Sequence, residues 1–437
     1  MEENLLEKIT SLSKRRGFIY QGSEIYGGLA GTWDYGPLGV ALKNNIKNLW
    51  WKMFVEERED MYGLDAAILM NAKVWETSGH LSGFTDPLTE CEKCKKRFRS
   101  DLLSDPNKCP ECEGKLGTTR NFNMMLKTAV GAVEDSSSIS YLRPETAQGI
   151  FVNFKNIIDS FHPRIPFGIA QIGKAFRNEI TPRDFVFRTR EFEQMEIEFF
   201  VKESDWEDWF EHFRKDMWRW IEFIGIDKEK VHELEVLPED LAHYSKRTID
   251  FEFDFPFGRK ELYGLAYRAD FDLKNHTSSS GVDLSYFDEE IKERFIPHVI
   301  EPTFGADRTV LAILASAYRE DEIGGEGEKR VFLKLSPKIA PIKVAVFPLL
   351  KNKPELVSKA RAIYAMISEK VPTVMFDDNG NIGKRYRRQD EIGTPICVTV
   401  DFETLEKDTV TLRDRDTGKQ NRIAIEELNV VIHKLIS

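Results

Sequence analysis

Between residues 167 and 200 the chain sets arginines, carboxylates, small residues and an aromatic ring in alternating order: FGIAQIGKAFRNEITPRDFVFRTREFEQMEIEFF. Two alternating runs flank a charged connection, the pattern of a long antiparallel hairpin. Residues two apart in a strand share a face. One face of the first run holds Gln171, Gly173, Ala175, Arg177 and Glu179; one face of the second holds Arg188, Arg190, Phe192, Gln194, Glu196 and Glu198. Ile172, Phe176, Met195, Ile197 and Phe199 fall on the opposite faces and can pack inward. The charged face is poor core material. It suits a site that holds an anion, a flat base and an ammonium group together. Phe192 and Glu196 are roughly 13 Å apart at strand rise, the span of a ligand with a ring at one end and an amine at the other. Arg177, across the hairpin, is placed to hold a phosphate between them by charge-assisted hydrogen bonds. A solvated, salt-bridged sheet face is the plainer alternative.

Four of the five cysteines form a second constellation, Cys91-x-x-Cys94 and Cys109-x-x-Cys112, fourteen residues apart. Each pair can clamp a metal from a tight knuckle, and four thiolates complete a tetrahedral zinc site. Paired disulfides and a redox Cys-x-x-Cys are the alternatives; a cytosolic compartment disfavours the first and the matched knuckles the second. No further acid or histidine sits in the motif, so the zinc expected is structural. Cys397 lies in an apolar strand and reads as core.

Phe176-Arg177-Asn178-Glu179 followed by Arg188-Thr189-Arg190-Glu191-Phe192 resembles motif 2 of the class II aminoacyl-tRNA synthetases, and Glu301-Pro302-Thr303-Phe304-Gly305-Ala306-Asp307-Arg308, leading into TVLAILASAY, resembles motif 3. Longer strings are similar to the homodimeric glycyl-tRNA synthetase family: YGPLG at 35–39, RPETAQGIFVNF at 143–154, DFDL at 270–273 and GNIGKRYRRQDE at 380–391. The resemblance implies an α+β chain: a class II antiparallel-sheet catalytic domain over 1–336, with a zinc-ribbon insert at 88–118 and a helical insert at about 202–240, then a C-terminal α/β mixed-sheet anticodon-binding domain over 337–437. It implies ATP-dependent attachment of glycine to tRNA(Gly) through glycyl-adenylate, with release of AMP and pyrophosphate, magnesium accompanying ATP, and a homodimer. The helix and strand expected at 37–70 occupy the place of motif 1, without its usual proline.

By the same resemblance Arg177, Glu179 and Arg308 are catalytic. ATP falls to Arg177, Asn178, Glu179, Phe187, Arg188, Thr189, Arg190, Glu191, Phe192, Glu261, Leu262, Gly305, Ala306, Asp307 and Arg308. Glycine falls to Arg99, Glu145, Phe192, Glu193, Gln194, Met195, Glu196, Arg268, Glu301, Pro302, Thr303, Phe304 and Gly305. Magnesium falls to Glu261 and Glu301, and the tRNA anticodon to the basic helix face Lys384, Arg385, Arg387 and Arg388. Thr303 stands where the family more often has serine, so its hydroxyl survives and its methyl narrows the pocket. Two rivals remain: a non-catalytic relative of the polymerase accessory-subunit kind, and a class II synthetase for another small amino acid.

The elements that must position these groups are legible in outline. A chain of 437 residues with 41% hydrophobic content supports two or three domains. The formal charge of −11 is uneven: from Lys338 onward there are 17 basic and 14 acidic residues, before it 45 basic and 59 acidic. An acidic body with a mildly basic tail fits an enzyme that touches RNA locally. No apolar run is long enough for a membrane helix and MEENLLEKIT is unlike a signal, so a cytoplasmic protein without membrane contact is expected. Periodicity predicts an amphipathic helix over 2–16, a glycine-rich loop, a helix from Pro37 to about Val55, a strand around Gly63–Met70, and a helix opened by Pro144. Trp206, Trp209, Trp218 and Trp220 recur at helical spacing and read as packing. Residues 261–273 alternate, with Gly264, Ala266, Arg268 and Asp270 on one face; His243 has no assigned role. DEIGGEGEK at 321–329 reads as a loop. From Pro341 the pattern becomes strand–helix–strand–helix–strand, then two strands and a last helix, with no P-loop and no GxGxxG.

Overall fold

The computed structural model describes residues 4–133, 138–323 and 329–436. The hairpin lies in a seven-stranded sheet made of β1 (Met61–Gly63), β2 (Phe167–Phe176), β3 (Glu191–Val201), β4 (Val231–Glu235), β5 (Arg247–Phe255), β6 (Gly258–Ala269) and β7 (His298–Gly305). Their spatial order is β4-β5-β6-β7-β3-β2-β1. Every pair is antiparallel except β1 on β2. Register brings the polar positions to one face: Phe192 lies opposite Ala175 and Glu196 opposite Gln171, Glu196 opposite Thr303, and Thr303 opposite Gly264. Gly173 is required where it stands, because a Cβ there would lie 2.3 Å from the guanidinium of Arg143.

Helices α1 (Leu5–Arg16), α2 (Pro37–Trp51), α3 (Ala147–Phe161), α4 (Trp206–Phe223), α5 (Phe271–Ser280) and α6 (Ala306–Ala317) cover the two faces. The capping box of Asn4 and Glu7 opens α1, and Gly17 closes it in the left-handed conformation. Met195, Ile197 and Phe199 join residues of α1, α2, α4 and α6 in the main core. The other face splits in two. At one end Phe167, Ile169 and Phe200 pack under α3 and α5; at the other the polar face stays open. The tryptophans pack as expected: Trp220 is fully buried and Trp206 stacks on Tyr267 with centroids 4.1 Å apart.

Three expected elements differ. The strand expected to run to Met70 ends at Gly63; beyond it Arg143 takes the carbonyl of Ala66 as an acceptor at 2.7 Å, the Gln171 side-chain oxygen accepts from the Ala66 N–H, and both hold the chain off the sheet. The helix expected from Pro144 begins at Ala147, with Thr146 as its cap; the Pro144 carbonyl is instead an acceptor for Arg177 Nε at 3.1 Å. The insert expected to be helical also supplies β4, the edge of the sheet. Glu2 and Glu3, expected in the first helix, and residues 324–328 of the expected loop lie outside the described residues.

The second sheet holds β8 (Val344–Pro348), β9 (Val374–Phe376), β10 (Ile396–Val400), β11 (Thr409–Asp414) and β12 (Gln420–Ala424) in the order β9-β8-β10-β11-β12. β9, β8 and β10 pair in parallel, and the two remaining pairs, β10 with β11 and β11 with β12, are antiparallel. With α7 (Pro354–Ser368), α8 (Ile382–Ile392) and a last helix, Leu428–Ile436, it is the mixed-sheet unit expected, with its own core. Cys397 is buried there. The basic face expected on α8 is not a single solvent face. Arg385 is 1% exposed and donates to the carbonyls of Pro348, Asp378 and Gly380. Arg388 pairs with Asp377, Arg387 donates to the Lys329 carbonyl, and Lys384 is exposed. Among the described residues no helix is long and apolar enough to cross a membrane.

Phe304 is the pivot of the main core, in ring contact with Trp50, Phe54, Trp220 and Tyr263. Phe304→Ala should lower stability by about 3–5 kcal/mol, read as an earlier urea midpoint in tryptophan fluorescence; an unchanged midpoint would contradict that packing.

Candidate active site

The open end of the sheet face is a cavity of about 680 Å³. It brings together eighteen of the expected residues: Arg99, Glu145, Arg177, Glu179, Phe187, Arg188, Thr189, Phe192, Glu193, Gln194, Glu196, Glu261, Leu262, Glu301, Thr303, Gly305, Asp307 and Arg308. Others stand outside it. Met195, Phe304 and Ala306 belong to the core behind the sheet, and Pro302 alternates to that side. Glu191 pairs with Lys174, Arg190 donates to the carbonyls of Ala30 and Glu179, and the Asn178 N–H donates to the Met124 carbonyl.

One end of the cavity is acidic. Glu196 accepts from Thr303 Oγ1 at 3.0 Å and from Thr146 Oγ1. Glu145 accepts from Gln148 Nε2 at 3.2 Å and faces His80 Nε2 at 3.4 Å; burial works against its charge, but His80 and Arg268 together hold its carboxyl well below the usual range. Burial, then the neighbouring Glu196 and Glu145, push Glu301 up to about 8 against the pull of Arg268. Glu198 lies beneath, fully buried, and neither of its oxygens has a hydrogen-bond partner among the described residues.

Arg268 was expected at the ligand. It is instead a buried brace, donating to both oxygens of Asp272 at 2.8 and 2.9 Å and to both oxygens of Glu301 at 3.1 and 3.0 Å. The bridge explains its burial, since a guanidinium leaves water only with its donors occupied. Glu301 is thereby engaged with Arg268, apart from the Glu261–Arg308 pair.

The other end is cationic. The Arg177 guanidinium lies 5.1 Å from the Phe192 ring centroid and 5.3 Å from that of Phe84. Arg308 lies 4.6 Å from that of Phe187 and 3.0 Å from a Glu261 oxygen. Arg308 holds the Glu261 carboxyl below its ordinary range. Level with Thr303 and Glu196, Gly264 leaves the sheet bare: a Cβ there would meet nothing within 4 Å. Glu179 serves to aim Arg188, accepting from its Nε at 2.6 Å. Arg99 pairs with Asp86 at 2.8 Å. Asp307 fixes the motif 3 turn to its neighbours, accepting from Tyr35 Oη at 2.5 Å, Lys43 Nζ at 2.8 Å and the Glu193 N–H at 2.7 Å.

Four residues escaped the sequence reading. His80 and Phe84 come from a short helix and its end, His80–Gly83, with no pattern to mark it. Tyr244 lies flat against Arg268, 3.7 Å from centroid to guanidinium. Asp250 was findable from the alternation RTIDFEFDF; burial, with Glu261 and Glu252 beside it, pushes it up to about 7. His243 lines the cavity mouth and stacks edge-on with Phe271.

The four cysteines meet as two close pairs. Cys91 and Cys112 sulfurs are 3.5 Å apart and those of Cys94 and Cys109 3.7 Å apart, and all four lie within 4.8 Å of one another. A tetrahedron of sulfurs about 2.3 Å from zinc has edges near 3.8 Å, so the donor set fits.

Residues 132–317 match the family described as "tRNA synthetase class II core domain (G, H, P, S and T)", and residues 343–435 match "Anticodon binding domain". The chain is 52% identical to a protein named glycine–tRNA ligase from Clostridium acetobutylicum, covering 100% of this chain and 99% of that one. It is 51% identical to one from Thermobifida fusca (97% and 96%) and 52% identical to one from Acetivibrio thermocellus (97% and 96%).

Two outcomes are expected. Metal analysis of fresh, reduced protein should find about one zinc per chain, lost in Cys109→Ser; no zinc would leave the cysteines as plain thiols. Asp250 takes up its proton more readily folded than unfolded, so its contribution to stability is complete below the unfolded pKa and is lost as pH rises through about 7. In nucleotide- and magnesium-free protein, Asp250→Asn should therefore flatten the fall in melting temperature between pH 5 and pH 8; an unaltered slope would refute the assignment.

Proposed function

The chain belongs to the glycine–tRNA ligases of the class II aminoacyl-tRNA synthetases, and from that premise we propose how its cavity makes glycyl-tRNA. It attaches glycine to tRNA at the expense of ATP. The observation that carries the reading is one cavity with buried carboxylates at one end and ring-supported arginines at the other.

The substrates carry their own nucleophiles, so the protein's task is positioning and charge stabilisation. Adenine stacks on Phe192. Arg177 binds the α-phosphate, where negative charge builds as the carboxylate of glycine attacks phosphorus. Pyrophosphate leaves, and Arg308 holds its end. The terminal ribose of tRNA then takes the glycyl group and AMP departs. Glu145, Glu196 and Glu301 receive the ammonium group. Thr303 and Gln194 fill the space a side chain would need, and overpacking such a pocket costs typically about 1–3 kcal/mol.

Magnesium would neutralise the phosphate oxygens, and Glu261 is the carboxylate we assign to it. Glu261 is half exposed, and beside it the acid Asp250 has no cation of its own among the described ion pairs. Zinc at the four cysteines would fix the ribbon that carries Arg99. We divide the chain at 336/337 into catalytic and anticodon-binding parts, and infer a cytoplasmic homodimer from the family. Lys384, exposed on α8, is retained as a tRNA contact; Arg385 is not.

Purified protein should catalyse glycine-dependent exchange of pyrophosphate into ATP, with alanine and serine inactive. Arg177→Ala should lower exchange about 10²–10³-fold with unchanged circular dichroism; near-normal exchange would remove Arg177 from the site.

A further inference from the structure

Glu198 is a buried acid that the reaction as described does not use. It points to the site side of β3, between the open cavity and the apolar packing of Phe200 under α3 and α5. One carboxylate oxygen each of Glu196, Glu198 and Glu301 lie within 4.8 Å of one another. The charged groups that face Glu198 are Glu196 from its own strand, Glu301 from β7, Arg268 from β6 and Asp272 from α5. Arg268, the cation among them, spends its hydrogen bonds on Asp272 and Glu301. The hydroxyls of Thr146 and Thr303 go to Glu196. No described residue donates to Glu198.

A carboxylate in that position would add a charge beside Glu196 and Glu301 with no donor among the described residues, a costly arrangement for a buried ion. A carboxylic acid there is different. It carries no charge, and its hydroxyl faces one oxygen each of Glu196 and Glu301 within 4.8 Å. We propose that Glu198 is a positioning residue, held as a neutral acid whose one O–H is shared between the neighbouring acids Glu196 and Glu301 and so fixes them for the substrate's ammonium group. This rests on the reading of the acidic end as the glycine site. Burial drives Glu198 in the same direction, well above the usual carboxylate range. The acid then acts as a buffer between like charges. Glu301 keeps its bridge to Arg268, Glu196 keeps its two hydroxyls, and neither is forced from the other before glycine arrives.

The test compares wild type, Glu198→Gln and Glu198→Leu in pyrophosphate exchange, with thermal unfolding as a check on folding. Glutamine keeps a donor without a charge and should hold the KM for glycine within about threefold of wild type, whereas leucine, with no donor, should raise it about tenfold or more while the KM for ATP stays put. Glutamine as damaging as leucine would mean that a charged carboxylate is needed, and would overturn the proposal. So would leucine with an unaltered KM for glycine, or a divalent cation retained by wild type and absent from Glu198→Gln. Should leucine prevent folding, the glutamine variant decides alone: near-normal KM supports the proposal, and a tenfold rise defeats it. Wild type without glycine-dependent exchange would instead sink the reading of the site itself.

Discussion

The structure depends on how negative charge is kept out of water at one end of a sheet. Glu145, Glu196, Glu198, Glu301 and Asp272 are all buried, and such a group is stable only if each charge finds a partner or a proton. Arg268 is the hub. Its planar fork reaches from β6 to Glu301 on β7 and to Asp272 on α5, with Tyr244 on its surface. No ammonium side chain could span both acids bidentately. The bridge leaves Glu145 and Glu196 on the cavity side with hydrogen-bond partners but no full counter-charge, and an incoming ammonium group supplies it.

The opposite end solves the inverse problem. Arginines that are to meet phosphate must be held without being neutralised. Arg188 is spent on Glu179 and Asp86, and serves to order the loop. Arg177 is held by rings and a carbonyl, which orient the guanidinium while leaving it without an ion-pair partner among the described residues. Arg308 sits between these cases, over Phe187 but paired to a half-exposed Glu261. An ion pair open to solvent is worth little, so a triphosphate displaces it cheaply.

Alternation in the sequence was enough to find the hairpin, its polar face and the acids on it, because side-chain period and strand register are one fact of geometry. The cysteine knuckles were legible for a similar reason: short spacing fixes which atoms converge. What the sequence hid were partners from distant segments. The face that holds Arg268 was correctly read, but its commitment to Asp272 and Glu301 needs α5 folded back on the sheet. His80 and Phe84 lie in a stretch with no periodicity, and their placement against Glu145 and Arg177 is set by tertiary packing alone. The strand expected through Met70 failed because Arg143, far along the chain, competes for its carbonyl.

The same competition explains why the basic character of α8 is not an open cationic surface. Arg330, at the edge of the larger body, is 1% exposed and bridges Asp321 to Asp390 on α8. Arg413 of β11 takes the remaining lone pairs of Asp390 at 2.7 and 2.9 Å, and Arg16 reaches from α1 to Glu391. These charges are consumed within the protein, binding the second sheet to the body. A count of Lys and Arg therefore overstates what the tail offers to RNA, since buried guanidiniums brace a joint and contribute no field outside it.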